Sequence, residues 1–283
     1  MRTSPSARPR SALCLVWGTV CLLQAIPTAV SSEEAALLAV PAPPVLAVKL
    51  IAHRGVRSVA PENTLAAIEA AIAMGLDYAE VDVRTTADGH LVLLHDPDVD
   101  RTTNGSGFVV DQSLEMLRQL DAGSWFDPRF AGTRIPTLDE ALEVAGDRIA
   151  LILDWKEASP RALLEALGRA GGCGSAMVLG SAKRVASLAA LSSDVHLIEE
   201  VWKPEDVDAA LRSGVRIDAI SPPLGLVTRR VAELCRASGV RIFADMQGVG
   251  ESCEQLEAAV GEGVDAVLTD HPRLLLDCIA QSP

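Results

Sequence analysis

The sequence predicts an α/β fold, a (β/α)8 TIM barrel with an insertion after the third strand-like run, and three observations lead to this prediction. Apolar runs of strand length alternate with helix-forming segments from residue 50 onward. The folded part covers about 230 residues, which suits one barrel better than two small domains. One of the nine strand-like runs follows a hairpin signal, so eight remain for the barrel.

The N-terminal segment has the residue order of a secretory signal peptide. Three arginines precede an apolar stretch from Leu13 to Ile26, and small residues follow it. We interpret residues 1–32 as a signal peptide that is removed, and expect an exported protein, periplasmic or secreted. Residues 33–48 contain three prolines and are interpreted as a linker before a barrel domain at residues 49–280. A membrane anchor is the alternative, but the apolar stretch is interrupted and short for a span.

The charge of the chain bears on its partners. The 25 basic and 38 acidic residues give a net charge of −13, and removal of the three arginines of the leader brings it near −16. Such a charge opposes binding to nucleic acids. Any phosphate group must therefore be met by local basic side chains or by a metal ion.

The first strand and helix are placed from the residue pattern. The apolar run 50–52 leads into His53 and Arg54. Residues 61–64, Pro-Glu-Asn-Thr, open a helix with apolar residues on one face, and Gly75 ends it.

The second strand carries two acidic side chains on one face. Glu80 and Asp82 are two residues apart, so both carboxylates point the same way. Adjacent carboxylates repel each other unless a cation or a proton compensates them, and a hard divalent ion suits oxygen ligands. Taken alone, such a pair can also be simply a polar strand face.

A hairpin is predicted next, because Asp88-Gly89 is typical of a two-residue primed turn. With the turn centred there, paired residue numbers sum to 177, which places His95 directly opposite Asp82. The run 91–94 is then the returning strand. A histidine at the end of an apolar run is otherwise commonly structural.

A long segment with little periodicity, residues 97–136, follows the hairpin. Long irregular insertions in compact domains are usually functional lids or binding loops. The segment contains Trp125, Phe126 and Phe130, from a total of nine aromatic residues comprising four Trp, one Tyr and four Phe. Packing of these rings onto the barrel is the alternative, above all for Phe130.

The second half alternates regularly between helix and strand. A capping box at 137–140 begins a helix, and further helices are expected near 160–170, 182–190, 204–213, 228–238 and 252–260. Strands are expected at 149–153, 177–179, 196–201, 217–220, 241–244 and 266–268. In a barrel the active site lies at the C-terminal strand ends, where Asp154 and Lys156 follow an apolar run.

Several short motifs together resemble the glycerophosphodiester phosphodiesterase family. They are His53-Arg54-Gly55, Pro61-Glu62-Asn63-Thr64, Glu80-Val81-Asp82-Val83, Thr86-Ala87-Asp88-Gly89, His95-Asp96, Arg101-Thr102-Thr103 with Gly105 and Gly107, Ile135-Pro136-Thr137-Leu138, and Leu268-Thr269-Asp270. The motifs are dense from residue 50 to 156 and return only near the C-terminus. As a set they are highly specific.

The resemblance implies a role for each matching residue. It implies catalytic His53 and His95, metal ligands Glu80, Asp82 and Asp154, and substrate-binding Arg54, Lys156, Trp125 and Phe243. Two positions depart from the family pattern. Asp154 stands where the family has the glutamate of Glu-x-Lys, and residues 241–245 replace a Trp-Thr-x-Asn pattern, so that Phe243 is expected to substitute for the missing tryptophan. Glu199 and Trp202 are also expected near the mouth of the barrel.

The implied activity is metal-dependent hydrolysis of glycerophosphodiesters to glycerol 3-phosphate and an alcohol. The expected cofactor is a divalent ion, with calcium preferred to magnesium because a larger and less regular shell tolerates the shorter Asp154. A lysophospholipase D or sphingomyelinase-D-like headgroup hydrolase, and a catalytically weak phosphate-ester binding protein, are the alternatives. The residues leave open the headgroup, the oligomeric state and the pairing of Cys173, Cys235, Cys253 and Cys278.

Overall fold

The computed structural model describes residues 48–171, 176–247 and 250–281. The predicted signal peptide and all but the last residue of the predicted linker lie outside these ranges. No helix in the described part of the chain is long and apolar enough to cross a membrane.

Eight parallel strands close into a barrel, which confirms the predicted fold. The sheet order is β1-β9-β8-β7-β6-β5-β4-β2-β3, and β1 also pairs with β2, so that among the strands of the described residues β3 alone stands outside the closed ring. The strands are β1 Lys49–Ala52, β2 Tyr78–Thr85, β3 Leu91–Leu93, β4 Ala150–Trp155, β5 Ala176–Gly180, β6 His196–Glu200, β7 Ala219–Ser221, β8 Arg241–Asp245 and β9 Ala266–Thr269.

Helices follow the barrel strands at the predicted places. They span Leu65–Ala73, Leu138–Ala145, Pro160–Arg169, Ala182–Ala189, Pro204–Arg212, Arg229–Ser238, Cys253–Glu262 and Pro272–Gln281. Side-chain caps define several starts: Thr64 accepts a hydrogen bond from the amide of Ala67, and Thr137 and Glu140 form the predicted reciprocal capping box. Each helix buries its apolar face against the outer surface of the barrel.

The hairpin between β2 and β3 is present, but its predicted register is wrong by one residue. Paired residues sum to 176, as in Val83 with Leu93, and the amide of Leu94 donates to the carbonyl of Asp82 at 3.1 Å. Leu94, not His95, therefore lies opposite Asp82. The turn has three residues instead of two: Thr86 pairs with His90, and within the turn Gly89 has a positive φ of 84°. A primed two-residue turn needs a positive φ at Asp88 as well, whereas a single left-handed glycine suits the three-residue loop.

A second apolar cluster fills the inside of the barrel. It includes Ile51, Tyr78, Ile152, Ile198 and Phe243, with the rings of Tyr78 and Phe243 5.4 Å apart. Because successive side chains of a strand point to opposite faces, the residues of this cluster alternate along each strand with those that face the helices.

The predicted insertion lies between β3 and the helix Leu138–Ala145. It contains the short α-helix Leu114–Leu117 and two 3₁₀ turns, Val109–Asp111 and Pro128–Phe130. Its apolar residues form a separate small core with Val92 and Leu94 of the hairpin. The insertion is therefore packed onto β3, and Phe126 and Phe130 stack edge to face within it.

A disulfide joins Cys253 to Cys278, between the last two described helices. Cys235 is a buried free thiol, and Cys173 lies outside the described residues. These observations answer the pairing that the sequence left open for three of the four cysteines.

Candidate active site

A cavity of about 230 Å³ opens at the C-terminal ends of the barrel strands. This is the end of the barrel that carries active sites in this architecture. Its lining comprises His53, Arg54, Glu80, Asp82, His95, Asp154, Lys156, Leu179, Glu200, Trp202, Ser221, Pro223, Asp245, Gln247 and Leu268.

Three carboxylates converge on one side of this cavity. Asp82 and Asp154 are direct neighbours in the pairing of β2 with β4, and Glu80 lies two residues before Asp82 on the same strand face. One oxygen from each of the three lies within 4.8 Å of the others. Within the described residues, this is the group of acidic, histidine or cysteine side chains that can hold a metal ion.

The electrostatics of the three carboxylates call for a cation. Burial raises the pKa of Glu80 well above its usual value, and the charges of Asp82 and Asp154 raise it further. Burial also raises the pKa of Asp154, although Lys156 offsets part of the shift. Glu80 and Asp82 are buried and Asp154 is partly buried, and when all three are ionised the two neighbouring cations, Lys156 and Arg54, do not balance their charge. A hard divalent ion with oxygen ligands fits this donor set.

Lys156 lies beside two of these carboxylates. Its Nζ is 2.5 Å from Oδ2 of Asp154 and 3.2 Å from Oδ1 of Asp82. Burial alone would lower the pKa of Lys156, but the charges of Asp154 and Asp82 outweigh burial and raise it. The side chain is therefore an ammonium group next to the acidic cluster.

His53 follows β1 and is held by a carboxylate from the other end of the chain. Its Nδ1 is 2.7 Å from Oδ1 of Asp270, and its Nε2 accepts a hydrogen bond of 3.1 Å from Nε of Arg54. Burial would raise the pKa of Asp270, but the hydrogen bond with His53 and the nearby charges lower it overall. Because an ionised carboxylate only accepts, Nδ1 of His53 carries the proton.

His95, which lines the same cavity, is also backed by a carboxylate. Its Nδ1 is 2.7 Å from Oδ1 of Asp96. The hydrogen bond from Arg101 is the main reason that the pKa of Asp96 falls to about 2. The hairpin explains the position of His95: β2 continues beyond the barrel, and the antiparallel β3 brings the chain back to the level of the cavity.

The loop after β1 is hydrogen-bonded to acidic side chains of β2, and two of its residues have unusual backbone angles. Arg54 and Asn63 both have φ of 55°, which non-glycine residues rarely adopt. The amide of Arg54 donates to Oε2 of Glu80 at 2.8 Å, and Nδ2 of Asn63 donates to Oδ2 of Asp82 at 2.7 Å. These bonds orient two members of the acidic cluster, and strain of this kind is common at functional sites.

Known proteins resemble this chain over most of its length. The model of the glycerophosphoryl diester phosphodiesterase family matches residues 53–167. A glycerophosphodiester phosphodiesterase of Caldanaerobacter subterraneus subsp. tengcongensis is 35% identical over 241 residues, which cover 81% of this chain and 97% of that relative. The chain belongs to the glycerophosphodiester phosphodiesterase family.

Solved structures of family members have the same fold. A glycerophosphodiester phosphodiesterase from Agrobacterium tumefaciens str. C58 superposes with a TM-score of 0.73 and 28% identity, over 81% of this chain and 99% of that one. An Oleispira antarctica phosphodiesterase, solved in complex with the product sn-glycerol-3-phosphate, gives a TM-score of 0.74 and 28% identity over 82% and 97% of the two chains.

Seven of the nine predicted site residues line the cavity together. They are His53, Arg54, Glu80, Asp82, His95, Asp154 and Lys156. Trp125 and Phe243 are not brought there. Nε1 of Trp125 donates to the carbonyl of Ala122, and its ring packs on Phe126 within the insertion. Phe243 is 2% exposed and points into the barrel interior below the cavity.

The strand end after Ile198 also differs from the expectation. Glu200 lines the cavity, whereas Glu199 is buried and does not. Side chains alternate along β6, and Ile198 faces the barrel interior, so that Glu200 shares its side and Glu199 faces the helices. Trp202 lies at the cavity as predicted, with 67% of its surface exposed.

Sequence reasoning gave no role to several residues that hold the site together. They are Glu62, Asn63, Asp96, Arg101 and Asp270. Each belongs to one of the motifs that resemble the family, so membership of a motif was the indication of a role that the sequence offered. A motif does not show which distant side chain its residues contact, as the 217-residue separation of His53 and Asp270 illustrates.

Proposed function

We propose that this member of the phosphodiesterase family hydrolyses glycerophosphodiesters to glycerol 3-phosphate and an alcohol, with a divalent metal ion and two acid–base histidines. The observation that carries the proposal is the convergence of Glu80, Asp82 and Asp154 in a cavity that two carboxylate-backed histidines also line. The family is one of phosphoric diester hydrolases, and the sn-glycerol-3-phosphate complex of the Oleispira antarctica relative supports the product.

Glu80, Asp82 and Asp154 would hold the ion. When bound, such an ion supplies Lewis-acid polarisation of a phosphoryl oxygen. Calcium is proposed in preference to magnesium, because its larger and less regular shell accommodates the short side chain of Asp154.

Two basic side chains would bind the phosphoryl group. Arg54 and Lys156 both line the cavity next to the acidic cluster, and Nζ of Lys156 is within 3.2 Å of two of its carboxylates. Fixed positive charges at this place neutralise the negative charge that develops on the phosphoryl oxygens in the transition state.

The two histidines would divide the proton transfers. Nδ1 of each is hydrogen-bonded to a carboxylate, so that Nε2 is the atom that would exchange protons with substrate. Nε2 of His53 accepts a hydrogen bond from Nε of Arg54, and this bond would be replaced by substrate when Arg54 binds the phosphoryl group. One histidine takes the proton of the attacking hydroxyl as its oxygen bonds to phosphorus. The other gives a proton to the leaving alcohol as its bond to phosphorus breaks. Attack by the neighbouring glycerol hydroxyl gives a cyclic phosphate, which water then opens.

Export after removal of the leader is part of the proposal. The disulfide between Cys253 and Cys278 supports it, because such bonds form and persist in oxidising compartments. The arginine-rich start and apolar core of the leader are the other support.

The decisive experiment is turnover of glycerophosphocholine, with and without chelator, across a short panel of divalent ions. We expect release of choline and glycerol 3-phosphate that a chelator abolishes and that calcium restores at least as well as magnesium. Turnover of lysophospholipid but not of glycerophosphocholine would identify a lipid headgroup hydrolase instead. Tight binding of glycerol 3-phosphate without turnover in any metal would identify a binding protein.

A further inference from the structure

We propose that Arg101, which lies on the insertion, is a positioning residue for both histidines. The inference rests on the proposed function, because it assigns Arg101 a role in the acid–base chemistry of His53 and His95. Arg101 is not among the residues that line the cavity. It must therefore act through other side chains.

All three guanidinium nitrogens of Arg101 are used. Nε donates to Oδ2 of Asp96 at 2.6 Å, Nη1 donates to Oε2 of Glu62 at 2.9 Å, and Nη2 donates to Oε1 of Glu62 at 2.8 Å. The fork is thus bidentate on Glu62 and makes a third bond to Asp96. A guanidinium can bridge two carboxylates in this way, whereas a lysine ammonium is a single point charge without the planar fork.

The bond to Asp96 acts on His95. Oδ1 of Asp96 accepts from Nδ1 of His95, so the carboxylate is held from both sides. The Asp96 side chain is 27% exposed and has water within reach. Without Arg101 the carboxylate is free to turn toward solvent, and the ring of His95 loses the partner that fixes its tautomer and orientation.

The bonds to Glu62 act on His53. The Glu62 side chain is 3% exposed, and its Oε1 also accepts a 2.7 Å hydrogen bond from Nη1 of Arg54. Nε of the same Arg54 donates to Nε2 of His53. Glu62 therefore joins Arg101 to Arg54 and His53, and Arg101 contacts both Glu62 and Asp96. Arg57 also lies 3.9 Å from Glu62 and donates to Asp270, but within the described part of the chain it makes no bond to Asp96.

This arrangement ties the insertion to the chemistry of the barrel. Arg101 comes from the first part of the insertion, while Glu62 comes from the loop after β1 and Asp96 from the end of the hairpin. A residue that orients acid–base groups without touching substrate affects the catalytic step more than substrate binding. We therefore expect changes at Arg101 to lower kcat and leave KM nearly unchanged.

The first test uses Arg101→Gln and Arg101→Lys with Arg129→Gln as the matched control. Arg129 is also an arginine of the insertion in an ion pair, with Asp127, but it is exposed and is not among the cavity-lining residues. We expect Arg101→Gln to lower kcat by about 10- to 100-fold with KM within about threefold, as for other residues that orient active-site groups. Arg101→Lys should retain an intermediate kcat, and Arg129→Gln should match the wild type.

The second test is a double-mutant cycle with Asp96→Asn. If Arg101 acts on His95 through Asp96, the double variant should be only slightly slower than the slower single variant. Full multiplication of the two losses would overturn this route. Melting temperatures of all variants show which of them are folded, and Arg101→Lys, which keeps the charge, serves if Arg101→Gln does not fold.

The third test does not depend on turnover. The ¹⁵N-resolved NMR signal of the Nδ1–H of His95, assigned with a His95→Gln variant, should be slowly exchanging in the wild type and broadened or lost in Arg101→Gln. A wild type that is inactive on every substrate overturns the proposed function, and an unchanged Nδ1–H signal then overturns the role of Arg101. With an active wild type, an unchanged kcat in Arg101→Gln overturns it.

Discussion

At the scale of single residues, the two histidines of the cavity share one arrangement reached by different routes. His95 is backed by its chain neighbour Asp96, and His53 by Asp270, 217 residues away. In both, an acceptor on Nδ1 fixes the tautomer, so that Nε2 is the atom that would exchange protons, and in His53 this atom accepts a hydrogen bond from Nε of Arg54. This shared arrangement suits one histidine to act as the proton acceptor and the other as the proton donor.

Replacement of either histidine should therefore stop the reaction. We expect His53→Ala and His95→Ala each to lose about 10²- to 10⁴-fold in turnover of glycerophosphocholine, the usual value of a general acid or base. Circular dichroism should show an intact fold. His90→Ala is the matched control, because His90 is an exposed histidine of the hairpin return. Near-normal turnover in either cavity variant would remove that histidine from the acid–base assignment.

Asp154 is predicted to be a metal ligand whose short side chain weakens the site. Asp154→Asn removes one of three negative charges from the ion, so its metal affinity should fall on the order of tenfold or more. Asp154→Glu should bind metal as tightly as the wild type or more tightly. Isothermal titration calorimetry with calcium and magnesium on all three proteins gives the comparison. Unchanged affinity in Asp154→Asn would exclude Asp154 from the site.

Glu62 should make stability depend on pH in the acid range. Burial alone would raise its pKa, but hydrogen bonds from Arg101 and Arg54 outweigh burial and lower it from 4.5 to about 2. Because the pKa is lower in the folded state, the stabilisation is complete above about pH 4.5 and is lost as the pH falls toward 2. Its size is roughly 3 kcal/mol.

Thermal unfolding in chelator from pH 2 to 6 measures this effect. The melting temperature of Glu62→Gln should lie below that of the wild type above pH 5, and the gap should close toward pH 2. The raised pKa of Glu80 has the opposite sign, but it is present in both proteins and cancels in the difference. A gap that stays constant over the whole range would contradict the assigned ionisation of Glu62.

At the scale of elements, the loop between β1 and the helix Leu65–Ala73 positions His53 and Arg54 in the site. Gly55 has φ of 73°, and its amide donates to the carbonyl of Glu80. A Cβ on Gly55 would lie 2.6 Å from Cβ of Ala67 and 2.7 Å from its carbonyl carbon. The loop that carries His53 and Arg54 can approach the helix only because this residue has no side chain.

Gly55→Ala and Gly75→Ala separate this close approach from the cost of the backbone angle. Gly75 has a similar φ of 69°, but a Cβ there would meet nothing within 4 Å. We expect Gly75→Ala to lower the free energy of unfolding by about 1–2 kcal/mol and Gly55→Ala by more than about 3 kcal/mol, because overpacking adds to the strain. Denaturant unfolding provides the numbers, and equal losses in the two variants would show that close packing at Gly55 is unimportant.

At the scale of the whole molecule, closure of the barrel brings together side chains from the two ends of the domain. The pairing of β1 with both β2 and β9 places Thr269 and the following Asp270 beside the end of β1. The site therefore needs the complete ring of strands. The disulfide joins the helices that come before and after β9, which is one of the two strands that pair with β1.

The exported form should begin between about residues 30 and 33, where the small residues follow the apolar stretch. N-terminal sequencing of secreted or periplasmic material measures this directly. Retention of the segment from Arg2 to Ile26 in a membrane fraction would favour an anchor instead. A mature net charge near −16 should also leave the protein unbound to nucleic acid at low salt.

The sequence by itself determined the fold class and the places of the strands and helices, and seven of the nine site residues that it predicted line one cavity. Period-two and helical patterns, glycine ends and the capping box at Thr137 are local signals, and local geometry follows from them. The carboxylate pair Glu80 and Asp82 could be predicted for the same reason, since strand geometry alone puts both side chains on one face.

Only the tertiary structure decided the rest. The hairpin register depends on the backbone angles of one turn, and a shift of one residue replaced His95 by Leu94 opposite Asp82. Phe243 and Trp125 were predicted to contact substrate. The side chain of Phe243 packs in the barrel interior instead, and that of Trp125 packs within the insertion. The contacts of Asp270 and Arg101 could not be predicted, because long-range contacts depend on how the ring of strands closes, and no local pattern shows this.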